Sequence, residues 1–305
     1  SGPPLAQSLR RRGAQQDVSG GAGLSEELEV GRCAELTRDL EAGGDARRAA
    51  CDALRGSVLR RAFQPAGCRV VQLALQVAGQ RVAAELVAEL HGHVREAIKS
   101  AHANYVVQKI IEVMPTASTS FVVHELRGEG VAVARHRYGC RILCRLLEHS
   151  GADAGLDALI DEVMGEAGEL CRHSFGCHVV MAVLEHGSPG HRATVVAALR
   201  GTLARSARSR YGSWVIEKAL AHASAEDRQS LAHDLLHDGP GGIASLGQGL
   251  AGSHVVRALS RVPGECSNRT LTYVGLAAPR LQETKCGQRL FQELRLPMTA
   301  VVAAA

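Results

Sequence analysis

Gly67-Cys-Arg-Val-Val-Gln72 returns six more times in this chain, and that recurrence decides the fold. The next copies are Ala103-Asn-Tyr-Val-Val-Gln108, Gly139-Cys-Arg-Ile-Leu-Cys144 and Gly176-Cys-His-Val-Val-Met181. Then come Gly212-Ser-Trp-Val-Ile-Glu217, Gly252-Ser-His-Val-Val-Arg257 and Gly287-Gln-Arg-Leu-Phe-Gln292. Counted from the second residue of each hexad, the intervals are 36, 36, 37, 36, 40 and 35. A period that regular means stacked copies of one small unit, each touching only its neighbours. Function is then to be sought in what varies at equivalent positions.

Composition agrees. With 305 residues, 46% of them hydrophobic, the chain can bury a large core, which excludes disorder throughout. Aromatics are only 3%, and the apolar content is mostly Ala, Leu and Val, which suits close-packed helices better than a sheet. The 35 basic and 31 acidic residues leave a net charge of +4, which permits a nucleic-acid partner without demanding one. Nine cysteines with no CxxC pair argue for a reducing compartment and against a disulfide framework. The expected place is the cytoplasm, with the nucleus or nucleolus as the alternative. No apolar run approaches the roughly 18 residues that a membrane span needs, so no membrane partner is expected. The chain opens at Ser1 rather than a methionine, which fits a fragment and leaves targeting unread.

Residues 1–24 carry Gly, Pro, Ser, Gln and Arg without an apolar period and read as a flexible leader. Ser25, followed by Glu26 and Glu27, reads as a helix N-cap with dipole-matched acids. Residues 25–50 read as a degenerate cap repeat, 51–297 as the repeat array and 298–305 as a frayed tail. Each full unit reads as two or three short helices. The long fifth interval holds Gly239-Pro-Gly-Gly242, a loop or hinge by composition that lacks the GK[ST] ending of a phosphate-binding loop.

On a helix, with the last five hexad residues numbered 1 to 5, positions 1, 2 and 5 fall at about 0°, 100° and 40°. Positions 3 and 4 fall at about 200° and 300°, and here they are always Val, Ile, Leu or Phe. They are core, and 1, 2 and 5 are expected to project as a row of three per unit. Position 2 reads Arg69, Tyr105, Arg141, His178, Trp214, His254 and Arg289, every one a flat side chain. A core would not hold Arg there, and an ordinary solvated face would offer Lys, Glu or Ser in some copies. Such a ladder is what single-stranded bases need for stacking. Positions 1 and 5 flank each stacker with groups able to meet a base edge.

These hexads resemble Pumilio (PUF) repeats, and the resemblance covers roughly residues 50–296. It implies an all-α, right-handed curved solenoid of about seven three-helix repeats that binds single-stranded RNA on its concave face, one base per repeat. It also implies a monomer, with protein partners on the convex face and a role at the 3′ untranslated regions of messages. No cofactor, metal or catalysis is implied. In this family Cys or Ser with Gln reads adenine, Asn with Gln uracil, and Ser with Glu guanine. By resemblance Cys68 and Gln72 are an adenine reader, Asn104 and Gln108 a uracil reader, and Ser213 and Glu217 a guanine reader. The last has direct chemical support, because one carboxylate can accept from both N1–H and N2–H₂ of guanine. Cys144 replaces the expected glutamine beside Cys140. Met181 beside Cys177 and Arg257 beside Ser253 have no assigned base. Gln288 is unusual at position 1, although Gln292 fits. With RNA antiparallel to the protein, the resemblance implies 5′-(U)-N-G-N-(A)-U-A-3′, the bracketed bases resting on one edge position each.

Two other readings stay open: a PUF-like protein of ribosome biogenesis that binds structured RNA, and an armadillo- or HEAT-type scaffold gripping a peptide. The second expects an asparagine ladder, and only Asn104 stands in such a place. Cys144 and His149 read as no nucleophile and base, since nothing orients the pair. His233 and His237 read as two exposed histidines rather than a metal pair.

Overall fold

The computed structural model describes residues 19–150 and 153–294, and among these it holds helices and no strand. Two helices, α1 (Ser19–Ala42) and α2 (Gly44–Leu54), precede seven units. Unit 1 is α3 (Val58–Ala62), α4 (Gly67–Val77) and α5 (Gln80–Ala88); unit 2 is α6 (Val94–Ala97), α7 (Ala103–Val113) and α8 (Thr116–Leu126). Unit 3 is α9 (Gly130–Arg135), α10 (Gly139–His149) and α11 (Ala154–Met164); unit 4 is α12 (Ala167–Leu170), α13 (Gly176–His186) and α14 (Pro189–Arg200). Unit 5 is α15 (Leu203–Arg208), α16 (Arg210–His222) and α17 (Ala225–Leu235). Unit 6 is α18 (Gly239–Gly247), α19 (Leu250–Leu259) and α20 (Glu265–Leu276), and unit 7 supplies α21 (Ala278–Leu281) and α22 (Lys285–Glu293).

Every hexad lies in the second helix of its unit, which is the middle one in units 1 to 6, and these helices pack in sequence, α4 on α7, α7 on α10, and so on to α22. The chain is an all-α solenoid. Positions 3 and 4 hold it together: Val70, Val71, Ile142, Leu143, Val215 and Ile216 are all buried, as are their counterparts in the other units. Each such side chain contributes about 1.5–3 kcal/mol of burial. The glycine that opens the hexad has a steric cause. A Cβ on Gly212 would stand 2.5 Å from the Ser206 carbonyl oxygen, and one on Gly252 2.3 Å from that of Leu246. In units 1, 3, 5, 6 and 7 the backbone before the hexad thus leaves no room for a side chain at this position, whereas unit 2 admits the small Ala103.

The amino-terminal end is closed by α1, which packs on α2 and α4 and buries Cys33, Leu36 and Leu40 on one side only. Arg61, nearly all buried, is held by Glu29 of α1 at 2.6 Å. Two expectations need correction. Ser25 lies inside α1, which starts at Ser19, so no helix begins there, and residues 19–24 are helical rather than leader. Residues 1–18 and the tail 298–305 lie outside the described residues. Gly239-Pro-Gly-Gly242 is the opening of helix α18, not a loop or hinge. Proline in a first helical turn loses no hydrogen bond, so a composition that suits a loop also starts a helix.

A clasp that the hexads do not reveal ties each early unit across its own length. Glu89 accepts from the backbone N–H groups of Gly56 and Val58 at 2.7 and 2.9 Å. Glu125 does the same for Gly92 and Val94 at 2.7 and 2.9 Å, and Glu162 for Gly128 and Gly130 at 2.9 and 3.2 Å. Gly56, Gly92 and Gly128 have positive φ, where glycine is favoured, which lets the turn present both donors to one carboxylate. Glu125→Ala should therefore cost about 1–3 kcal/mol locally. Hydrogen exchange of the Gly92 and Val94 amides should speed up while Gly56 and Val58 stay protected. Unchanged protection at Gly92 would rule the clasp out as a stabilising contact.

Candidate nucleic-acid interface

In units 2, 3, 4, 5 and 7 the start of the hexad helix is fixed by a capping side chain four residues before position 1, whereas units 1 and 6 have no such cap. Ser100 Oγ accepts from the His102 and Ala103 amides at 3.2 and 3.1 Å. His136 Nδ1 accepts from Tyr138 and Gly139 at 3.3 and 3.2 Å, and His173 Nδ1 from Phe175 and Gly176 at 3.2 and 3.1 Å. Ser209 and Thr284 complete the series, accepting from Gly212 at 3.4 Å and Gly287 at 3.1 Å. An Nδ1 that accepts must be unprotonated. Both rings are accordingly held below the usual histidine range, first by burial, then by Lys99 and Arg137 at His136 and by Arg135 at His173.

The sign of the pH effect follows. With the folded pKa lowered, the unfolded chain binds more protons near pH 6, so stability rises with pH there. The contribution is complete above the unfolded value of about 6.5 and is lost as pH falls through the lowered folded value. The urea midpoint should drop between pH 7.5 and 5.5, and His136→Ser with His173→Ser, which copies the Ser100 and Ser209 caps, should flatten that drop. An equally steep drop in the double variant would sink the assignment.

Position 2 projects as the sequence suggests. Arg69, Tyr105, Arg141, His178 and Arg289 are exposed, and Trp214 and His254 half-buried. Neighbouring groups approach one another along the row: the His178 and Trp214 rings are 6.3 Å apart, centroid to centroid. Trp214 is further held by the Tyr211 ring edge at 5.6 Å and the Arg210 guanidinium at 5.5 Å. His178 is kept below the ordinary histidine range by burial and by Arg141, which favours a neutral, stackable ring.

Position 1 does not project. Cys68, Asn104, Cys140, Cys177, Ser213 and Ser253 are buried, and only Gln288 is exposed. The helical wheel explains why. The core side chains centre at about 250°, so the outward direction is about 70°; positions 2 and 5 lie within about 30° of it, whereas position 1 lies about 70° away. Position 1 therefore sits on the flank where the next helix closes in. Its polar tip turns back onto its own helix: Ser213 and Ser253 donate to Arg210 O and Leu250 O at 2.9 and 2.8 Å, and Asn104 Nδ2 to Ser100 O at 2.7 Å. Cys68, Cys140 and Cys177 donate their thiols similarly, at 3.3, 3.6 and 3.7 Å. Gln288 instead donates to Gln282 O at 2.8 Å.

Position 5 lies between these extremes. Gln72, Gln108, Cys144, Met181, Glu217 and Arg257 are half-buried, and Gln292 is exposed. Gln108 donates to Asn104 Oδ1 at 2.9 Å, so the two edge groups of unit 2 are already joined. The Glu217 carboxylate is held only loosely, with Arg261 at 4.0 Å. Arg257 lies 3.1 Å from Glu293, which also pairs with the position-2 residue Arg289 at 2.8 Å. The Cys144 thiol is pushed up to about 12, chiefly by burial, and is therefore an unactivated thiol at neutral pH. His233 and His237 each face a neighbouring aspartate, and among the described residues no group of side chains is placed to hold a metal.

Sequence reasoning missed the charges beside the row. Arg145 of α10 reaches Glu112 of α7 at 3.3 Å, and Lys218 of α16 reaches Glu185 of α13 at 2.6 Å. The signal was present as an acid at position 9 followed one repeat later by a base at position 6. Tyr138, Phe175 and Tyr211 make ring contacts within their own units, with His136, His173 and Trp214.

Among the described residues, no helix is long and apolar enough to cross a membrane. In fold, the chain is similar to the Puf3 RNA-binding domain bound to a Cox17 RNA 3′ UTR recognition sequence: TM-score 0.78, 19% identity, covering 89% of this chain and 84% of that one. It is also similar to PUF-8 in complex with PBE-RNA (TM-score 0.73, 24% identity, 92% and 79% covered). A third similar structure is yeast Puf5p bound to SMX2 RNA (TM-score 0.56, 14% identity, 81% and 85% covered). The model of the Pumilio-family RNA-binding repeat matches residues 59–91, 94–127, 131–164, 167–200 and 207–236, which fall on units 1 to 5. Together these matches cover more than half of the sequence, and the chain belongs to the Pumilio family of RNA-binding repeat proteins.

Proposed function

We propose that this chain binds single-stranded RNA along the row of middle helices, one base per unit, and so marks 3′ untranslated regions for post-transcriptional control. The observation that carries this reading is the ladder of seven flat position-2 side chains, one per stacked helix and none fully buried. Stacking at about 1–3 kcal/mol per base over such a ladder leaves a large surplus after the strand is ordered. Position 5 supplies the base-edge contact, and position 1 sets the shape of the floor beside it. Similar solved domains hold 3′ UTR RNA, which supports the class of ligand. Units 1, 2 and 5 are assigned adenine, uracil and guanine. Units 4 and 6 read less: Met181 has no strong hydrogen-bonding group, and Arg257 is engaged by Glu293.

Selection from a random single-stranded RNA pool at moderate salt, which suppresses phosphate-only binding, tests the reading. The expected result is a motif with G two bases upstream of A-U-A. A flat pool with real affinity would favour the structured-RNA reading that weak readers in units 4 and 6 suggest. No retained RNA would overturn both.

A further inference from the structure

Units 2, 3, 4 and 6 each pack their first helix on their third: α6 on α8, α9 on α11, α12 on α14 and α18 on α20. In units 1 and 5 the corresponding helices, α3 and α5 and α15 and α17, make little contact, and a cleft of about 550 Å³ lies beside those of unit 5. Arg200, Arg205 and Arg208 line it from α14 and α15, Asp234 and Asp238 from the other side, with Leu203 and Leu235 among its apolar lining. No residue of the reading helices α16 and α19 lines it.

The earlier units show what such positions take when satisfied. Arg135 and Arg208 both stand five residues before position 1 of their hexads. Arg135 holds the Glu166 carboxylate at 2.5 Å. Arg208 reaches only the Ala204 carbonyl at 2.9 Å and the Ser245 hydroxyl at 3.1 Å. Arg200 bonds to the Ser230 hydroxyl and lies 3.8 Å from Asp234. Arg205 is exposed and has no ion pair or hydrogen bond among the described residues. The seam between units 5 and 6 is thus short of the carboxylates that close the seam between units 3 and 4.

We propose that this cleft docks an extended acidic peptide of a partner protein. An apolar side chain lies against Leu203 and Leu235, and flanking Asp or Glu carboxylates pair with Arg205 and Arg208. Charge complementarity favours this occupant, since guanidinium groups left without a counter-ion take planar carboxylates in paired hydrogen bonds. A continuous phosphate backbone suits the place less well. The cleft is cut off from the reading helices, along which the proposed strand lies.

The test uses the whole chain on an array of short peptides with a central Leu, flanked either by Glu or by Gln at the same places. Glu peptides should be retained at least about tenfold better than their Gln counterparts. Arg205→Glu with Arg208→Glu should abolish that preference and leave single-stranded RNA affinity unchanged. Arg205→Glu alone, which breaks no existing bond, should lower it and guards against a folding defect. Equal retention of the two sets, or a preference that survives charge reversal, would overturn the proposal. A fall in RNA affinity in the charge-reversed protein would assign the cleft to RNA instead and overturn it equally.

Discussion

Ser213→Asn combined with Glu217→Gln is expected to turn unit 5 from a guanine reader into a uracil reader. The wild-type carboxylate, held only loosely by Arg261, is free to accept from the two donors on the guanine edge. Uracil offers one N–H between two carbonyl groups, so the same carboxylate faces acceptors that repel it. A glutamine amide donates as well as accepts and suits that edge. Each well-made two-point contact discriminates by about 1–3 kcal/mol, so losing one and gaining the other should swing the G-to-U preference by about thirtyfold or more. The larger residue at position 1 has a precedent within the molecule. Asn104 is fully buried at the same place in unit 2, donating to Ser100 O and accepting from Gln108. Competition between two RNAs differing only at that base is the measurement. A preference for G that survives both changes would break the register.

Trp214→Ala should weaken RNA binding by about five- to 150-fold, the equivalent of one lost base stack. The array should stay folded, because Val215 and Ile216 carry the core of α16 while Trp214 is half-buried on the outer side. Its ring is already positioned by Tyr211, Arg210 and His178, so little ordering remains to be done on binding. Trp214 is also the only tryptophan in the chain, so its own fluorescence reports whether a base stacks there. Undiminished affinity with unchanged helix content would remove the stacking row from the account.

The seven units and the outward course of position 2 were legible because both follow from spacing and helical angle alone. Helix α18 was misread because Gly and Pro serve both loops and helix starts. The Glu125 clasp and the His136 cap lay hidden for a different reason: each joins a side chain to backbone donors, which carry no residue signature. Position 1 fell between. Its angle seemed outward until the neighbouring helix, about 8–10 Å away in such packing, closed over that flank.

That buried flank sets the pitch of the molecule. Small residues there govern how closely one middle helix approaches the next, and hence the step from one flat group to its neighbour. An RNA strand has its own step, and on the proposed reading the two have to stay in phase along the row, like teeth on a rack. A larger residue that turns its tip back onto the chain, as Asn104 does, fits this flank, whereas one that cannot would move every tooth beyond it. On the proposed reading, the small buried Cys, Ser and Asn side chains along this flank would keep the helices close enough for successive flat groups to meet successive bases.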